Sequence, residues 1–284
     1  MKIKSFAKVN LYLDIIGKRP DGYHELVTLM CPVGLFDTLR LTFQTPGITV
    51  SCDHPDVPGG KDNLAYTAAR RFFRFADLPD AGVAVEIEKR IPAGAGLGGG
   101  SSNAAAVLSG LNAHFGFPLS HEQLLEIGKT IGADVPFFIY DKPAVASGIG
   151  DIITPLPGLP PLPVVLVYPG QILPTRDVYK NFNLGLTKKE KIHTKSIFKL
   201  DWGENVHTLL FNALEDAAFE LRPQAAEAKA RLLETGAKGA LMTGSGSSVY
   251  GIYNNPETAR KACRRLSRYQ EGQGWQVFQT WLRV

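Results

Sequence analysis

The chain has 284 residues, 44% of them hydrophobic and 20% charged, with a formal net charge of +4. That length supports one large or two modest domains with a full core that needs neither metals nor disulfides. Cys31, Cys52 and Cys263 stand far apart with no C-x-x-C spacing, which argues against a disulfide framework or a cysteine zinc site. No apolar run reaches the eighteen or so residues of a membrane span.

The first residues enter a patterned strand at once, so no signal or transit peptide is expected, and the expected location is cytoplasmic. From Ile3 to Ile15 the odd positions are mostly apolar, while Lys4, Lys8, Asn10 and Asp14 fall on even ones. This is the period of a half-buried strand, with Lys8 and Asn10 together on its polar face. Gly17-Lys18-Arg19-Pro20-Asp21-Gly22 reads as a turn delivering Tyr23 and His24. As a purely structural pair, those two would be a buried aromatic beside a surface histidine.

Strands follow around 37–43 and 48–51, then a helix capped by Asp62 or Asn63 through about residue 75, then a strand at 83–87. Next comes Pro92-Ala93-Gly94-Ala95-Gly96-Leu97-Gly98-Gly99-Gly100-Ser101-Ser102-Asn103, with five glycines from Gly94 to Gly100 and an alanine-rich helix expected over 103–114. Glycines let backbone N–H groups converge, and a helix start leaves its first N–H groups unpaired at the positive end of the dipole. Loop and helix together make an anion cradle suited to phosphate.

Gly94-Ala95-Gly96-Leu97-Gly98-Gly99 fits G-x-G-x-x-G, but the region about twenty residues on opens another helix, not the acidic end of a second strand. Gly128-Lys129-Thr130 resembles a P-loop ending, yet Gln123 stands where its first glycine belongs. A bare surface turn would need one or two glycines only.

Ser120 and Gln123 form a capping-box pattern for a helix ending near Gly132. Gly132-Ala133-Asp134-Val135-Pro136 then starts a short helix that Asp134 could simply cap. The proline-rich stretch 155–163 reads as a linker dividing residues 1–156 from 157–284. Beyond it, a strand at 164–168, helices at 175–181, 204–220, 224–234 and 256–269, and strands at 239–242, 248–253 and 276–282 describe an α+β half. Thr243-Gly244-Ser245-Gly246-Ser247-Ser248 joins two of those strands and on its own could be a hairpin turn. Two basic runs, 188–191 and 260–265, read as a loop and as a solvated helix face. Neither interleaves aromatics on a strand, so no nucleic acid partner is expected.

The segment P-x-G-A-G-L-G-G-G-S-S-N-A-A resembles the phosphate-binding motif of the GHMP small-molecule kinases. Ala7-Lys8-Val9-Asn10-Leu11 followed by Gly17–22 and Tyr23-His24-Glu25-Leu26 resembles the first motif of one branch of that family, and Thr243–248 resembles its third. The resemblance implies an α+β, two-domain GHMP kinase fold, with an N-terminal ATP domain like the second domain of ribosomal protein S5 and a C-terminal ferredoxin-like domain. It also implies a phosphotransferase using ATP and Mg²⁺ on the 2-hydroxyl of a cytidine diphosphate methylerythritol, a step of the non-mevalonate route to isoprenoid precursors.

Carried over by resemblance, Asp134 is the catalytic aspartate and Lys8 the lysine that stabilises the γ-phosphate beside it. Pro92, Gly94, Gly96, Gly98, Gly99, Gly100, Ser101 and Ser102 hold the ATP phosphates, with Asn63 or Lys89 lining the adenine. Asn10 meets the methylerythritol, Tyr23 and His24 the cytosine, with Tyr179 (or Phe182) over its other face. Thr243, Gly244 and Ser245 fold over the substrate. Metal ligands and oligomeric state are not assigned. The alternatives are another GHMP kinase, for homoserine, mevalonate or a sugar, and a nucleotide- or RNA-binding module without catalysis, which would leave Lys8 and Asp134 unexplained.

Overall fold

The alternating residues from Ile3 onward extend into a 17-residue strand, β1 (Lys2–Lys18), and its sheet neighbour is the 19-residue β2 (His24–Thr42). The computed structural model describes residues 1–43, 47–182 and 205–284. Contacts divide the chain into two compact units. One comprises Met1–Ala7, Leu35–Ala93 and Gly98–Asp141; the other comprises Lys8–Gly34, Gly94–Leu97 and Lys142–Val284. The segments interleave because β1 and β2 each continue from one unit into the other.

In the first unit, β4 (Val83–Glu88) pairs antiparallel with β2, Leu41 opposite Val85, and parallel with β3 (Ile48–Cys52), Val50 opposite the same Val85. Asn63 caps α1 (Leu64–Phe75) by accepting the Ala65 N–H at 2.9 Å, and Ala65, Ala68, Ala69, Phe72 and Phe73 give that helix one buried face. Its neighbour α2 (Gly99–His114) is small or apolar on nearly every side and is buried accordingly. A Cβ on Gly110 would come within 2.4 Å of Ile3 Cδ1, so any larger residue here would force that side chain to move.

The expected capping box is present, with Ser120 and Gln123 bonded reciprocally ahead of α3 (His121–Ile131). The P-loop-like Gly128-Lys129-Thr130 lies inside that helix, where Lys129 pairs with Glu126 at 2.6 Å. After it comes α4 (Val135–Tyr140).

The second unit contains a four-stranded antiparallel sheet in the order Gln276–Trp281, Pro163–Tyr168, Val249–Ile252, Gly239–Met242. Helices Pro223–Glu234 and Pro256–Leu266 connect these strands in a β-α-β-β-α-β succession, which is the ferredoxin-like arrangement expected. Val165, Val167, Leu232, Met242, Val249, Leu266 and Trp275 belong to its core. Arg260, Arg264 and Arg265 are exposed, as a solvated helix face requires.

Three readings of local structure are corrected. From Ala7 to Ile15 strand β1 is buried on both faces, because Lys8, Asn10 and Asp14 lie inside the fold and not at its surface. Helix α2 begins at Gly99, four residues before Asn103, since packing of its first turn overrides the poor helix propensity of glycine. In place of one helix over 204–220, a 3₁₀ turn (Val206–Thr208), a short strand (Phe211–Asn212) and a helix (Glu215–Leu221) follow one another. The strand exists because Phe211 and Asn212 pair in parallel with Tyr12 and Leu13. A hairpin of Ala144–Ser147 and Ile152–Pro155, joined to β2 with Val145 opposite Leu29, has no counterpart in the sequence reading. Within 155–163, Leu156 and Leu159 are buried. The basic run 188–191 and the predicted helix start at 204 lie outside the described residues.

Candidate active site

In the first unit the chain is clamped just before the glycine-rich segment. The Lys89 ammonium lies 2.6 Å from Asp37 Oδ2 and donates to the Ile91 carbonyl at 2.6 Å, while Asp37 Oδ1 accepts the N–H groups of Arg90 and Ile91 at 2.7 and 2.8 Å. Both side chains are buried, and this set of bonds answers the cost of taking two charges out of water. A Cβ on Gly99 would sit 2.9 Å from Lys89 Nζ, so the start of α2 lies directly on this clamp.

Gly98, with φ +70°, is the N-cap of α2 and offers no side chain to its first N–H groups. Those of Gly99, Gly100 and Ser101 have no partner within the helix either. Of the two hydroxyls, Ser102's is buried: it donates to the Phe6 carbonyl at 2.6 Å and lies 2.6 Å from Ser5 Oγ, which itself donates to Asn103 Oδ1. Ser102 therefore ties α2 to β1. Ser101 Oγ is instead 3.8 Å from a Cβ built on Gly132, beside the turn that carries Asp134.

Asp134 is half-buried at the N-cap of α4, and its side chain makes no capping hydrogen bond. The simple capping role is thus not taken. Asn63, in contrast, uses its amide in the fold, since its Nδ2 donates to the Pro58 carbonyl at 2.7 Å in addition to the cap. Pro92 is buried.

The second unit holds a buried polar network. Lys8 Nζ donates to Asn10 Oδ1 at 2.6 Å, and Asn10 Nδ2 donates to Thr28 Oγ1 at 2.8 Å, whose own proton goes to the Tyr12 carbonyl. Thr243 Oγ1 accepts the Asn10 N–H and lies 3.1 Å from Asn10 Oδ1, and the Tyr250 hydroxyl donates to the Asn10 carbonyl. Burial keeps that phenol protonated by pushing its pKa well up.

Here Gly96, at φ +78°, would place a Cβ 2.2 Å from the Thr243 carbonyl oxygen. The two glycine-rich turns therefore touch backbone to backbone, and Ser248 N–H donates to the Ala95 carbonyl at 3.2 Å. A Cβ on Gly244 would be 3.3 Å from Lys8 Nζ. Ser245 Oγ is 2.8 Å from Thr175 Oγ1. Asn212 was not singled out from sequence, yet its Nδ2 holds the carbonyls of Met242 and Gly244, each at 2.8 Å.

The same unit contains a cavity of about 890 Å³ whose walls include Lys18, Tyr23, His24, Arg176, Tyr179 and Lys180. His24 stacks at a tilt on Tyr179, centroids 5.0 Å apart, and meets Phe182 edge-on at 6.4 Å. Burial first, and the charge of Lys18 second, lower the His24 pKa. The imidazole is neutral at pH 7, with one nitrogen donating and one accepting. Tyr23 is 62% exposed. Arg176, Tyr179 and Lys180 share one face of α5 (Thr175–Asn181) at i, i+3, i+4 spacing, the signal by which the cations could have been found.

The GHMP kinases N-terminal domain model matches residues 63–142, and the GHMP kinases C-terminal model matches residues 196–272. A protein of Geobacter sp. (strain M21) named 4-diphosphocytidyl-2-C-methyl-D-erythritol kinase is 45% identical over 270 residues, 95% of this chain and 94% of that one. The chain belongs to the GHMP kinase family. A relative of the same name from Syntrophotalea carbinolica is 45% identical over 96% of this chain and 95% of its own. A crystal structure of 4-(cytidine 5'-diphospho)-2C-methyl-D-erythritol kinase superposes with a TM-score of 0.84 at 36% identity, each chain covered in full.

In this GHMP kinase the first matched region starts at the Asn63 cap and includes the glycine-rich segment and Asp134, and the second includes Thr243–248. Lys8, Asn10, Tyr23 and His24 precede both. Among the described residues no helix is long and apolar enough to cross a membrane, and no group of three or more His, Cys, Asp or Glu could hold a metal ion.

Proposed function

We propose that this chain transfers the γ-phosphoryl group of ATP to the 2-hydroxyl of 4-diphosphocytidyl-2-C-methyl-D-erythritol. The observation that carries the reading is the first turn of α2. Its N–H groups have no side-chain cap, and Ser101 brings it beside the Asp134 turn. An anion bound there would have a carboxylate nearby that is not spent on capping. The acceptor is taken from the names of the relatives, and the cavity around His24 supports it: a cytosine offers a flat face and a hydrogen-bonding edge to neutral imidazole and aromatic rings. Lys18, Arg176 and Lys180 in the same walls suit a diphosphate.

In the step itself the acceptor oxygen forms a bond to the γ-phosphorus as the bond to the β,γ-bridging oxygen breaks. ADP leaves with that electron pair. The hydroxyl proton passes to the Asp134 carboxylate and then to solvent. Such transfer asks the protein mainly for alignment and charge compensation. In this reading Lys8 offsets charge on the transferred group and Asn10 keeps its ammonium in one place, while Thr243, Gly244 and Ser245 cover the acceptor. Asn63 and Lys89 border the adenine, held still by their internal bonds. Mg²⁺ enters as part of the ATP substrate, and Ser101 and Asp134 offer the hard oxygen donors it favours.

The same reading places the chain in the bacterial cytoplasm, on the non-mevalonate route, with 155–163 as the border between its ATP-binding and C-terminal parts. The test is ADP release from ATP and Mg²⁺ with four acceptors: the cytidine compound, the same polyol phosphate without cytidine, mevalonate and homoserine. Turnover confined to the cytidine compound is expected. Turnover with another acceptor would discard the base cavity, and none with any would discard the kinase assignment.

A further inference from the structure

The first unit holds a second cavity, of about 790 Å³, between α1 and α3, walled by Arg70, Arg71, Arg74, Phe75, Glu126 and Ile127. Three guanidiniums within five residues repel one another, and α1 carries no acidic residue that could pair with them at i±3 or i±4. The single carboxylate in the walls, Glu126, is 2.6 Å from Lys129 Nζ. Three arginines elsewhere do have acidic partners: Arg19 with Asp21, Arg40 with Glu86, and Arg231 with Glu227 and Glu234.

Arg71 Nε is moreover buried without a hydrogen-bond partner, a condition that in a folded protein asks for an explanation. Beside this charge the cavity offers apolar surface: Phe75 is 52% exposed although it ends a helix whose other phenylalanines are in the core.

We infer that this cavity binds an organic phosphate, its anionic head against Arg70, Arg71 and Arg74 and its apolar or aromatic body against Phe75 and Ile127. Guanidinium forks match phosphate oxygens two at a time, and one helical turn between Arg70 and Arg74 lets both reach one head group. The wall charge of three arginines against one shared glutamate favours a dianion over a neutral ligand. The site is independent of the kinase reading, as it uses none of the residues placed in that reaction.

The test is calorimetric titration of phenyl phosphate into the full-length protein and into the double variant R70Q/R74Q, with inorganic phosphate run alongside. Both substituted arginines are exposed, so the variant is expected to keep its melting temperature and its turnover of ATP. Phenyl phosphate should bind the unaltered protein at least about tenfold tighter than the double variant, and tighter than inorganic phosphate does. Glu126→Gln should strengthen binding further by removing the opposing charge. Equal affinity in R70Q/R74Q, or no binding to the unaltered protein at millimolar concentration, overturns the site. Equal affinity for phosphate and phenyl phosphate overturns the organic ligand.

Discussion

The start of α2 and the cluster around Asn10 are both rich in polar groups, but they are finished in opposite ways. At α2 the first-turn N–H groups have no cap, and Asp134 beyond it stands at a capping position without capping. In the other cluster, Lys8, Thr28, Thr243 and Tyr250 each spend a hydrogen bond on Asn10 within a buried space. The first arrangement leaves its groups uncapped; the second spends them on rigidity. Activity and stability should therefore separate under mutation at the former and move together at the latter.

The largest separation is expected at Asp134. Asp134→Asn should cut kcat by about 10²-fold or more while leaving nucleotide binding and melting temperature near their original values. Near-normal turnover would take Asp134 out of the chemistry, and a large drop in melting temperature would erase the contrast. Asn10→Ala should lower both quantities, since it removes the buried amide that accepts from Lys8 and Thr243 and donates to Thr28, at a cost of about 1–3 kcal/mol measured by urea unfolding.

His24→Ala lies between these extremes. We expect the KM for the cytidine substrate to rise roughly tenfold, against little change in the KM for ATP, because a lost hydrogen-bonding edge penalises one ligand alone. The imidazole has a lowered pKa in the folded protein, so it stays neutral down to a pH below the usual value near 6.5. Any stability from this shift is present above the unfolded pKa and lost as pH falls through the folded one. Affinity for the cytidine substrate should fall over that same acid range, and His24→Gln should flatten the dependence. The smallest effect is expected at the α1 cap: Asn63→Ala should cost about 1 kcal/mol of stability. A parallel rise in the KM for ATP would identify the adenine contact, and a change in stability alone would leave Asn63 as a cap.

Elements governed by near neighbours were legible in the sequence. The α1 face, the Ser120 and Gln123 box and the helices Pro223–Glu234 and Pro256–Leu266 all follow from spacing and capping residues within a few positions. What could not be read depends on partners far along the chain. Lys8 and Asn10 look like surface residues of an alternating strand until Thr28, Thr243 and Tyr250 are known to meet Asn10, the last two more than 230 positions away. The same applies to Phe211 and Asn212, whose strand exists only through Tyr12 and Leu13. Ser101 and Ser102 are alike as letters, yet one turns toward Gly132 and the other is anchored to Phe6. Asp37 gave no signal because a buried aspartate is recognisable only from the lysine that balances it, 52 residues on.

The backbone contact between Gly96 and Thr243 also sets an order of events during synthesis. The carbonyl against which the first glycine turn rests belongs to a residue that leaves the ribosome 147 positions later. At about 5–20 residues per second, that is a wait of several seconds or more. Throughout that interval the nascent chain carries its glycine-rich segment without the surface it rests on, so this form of the turn cannot be completed before Thr243 has been made.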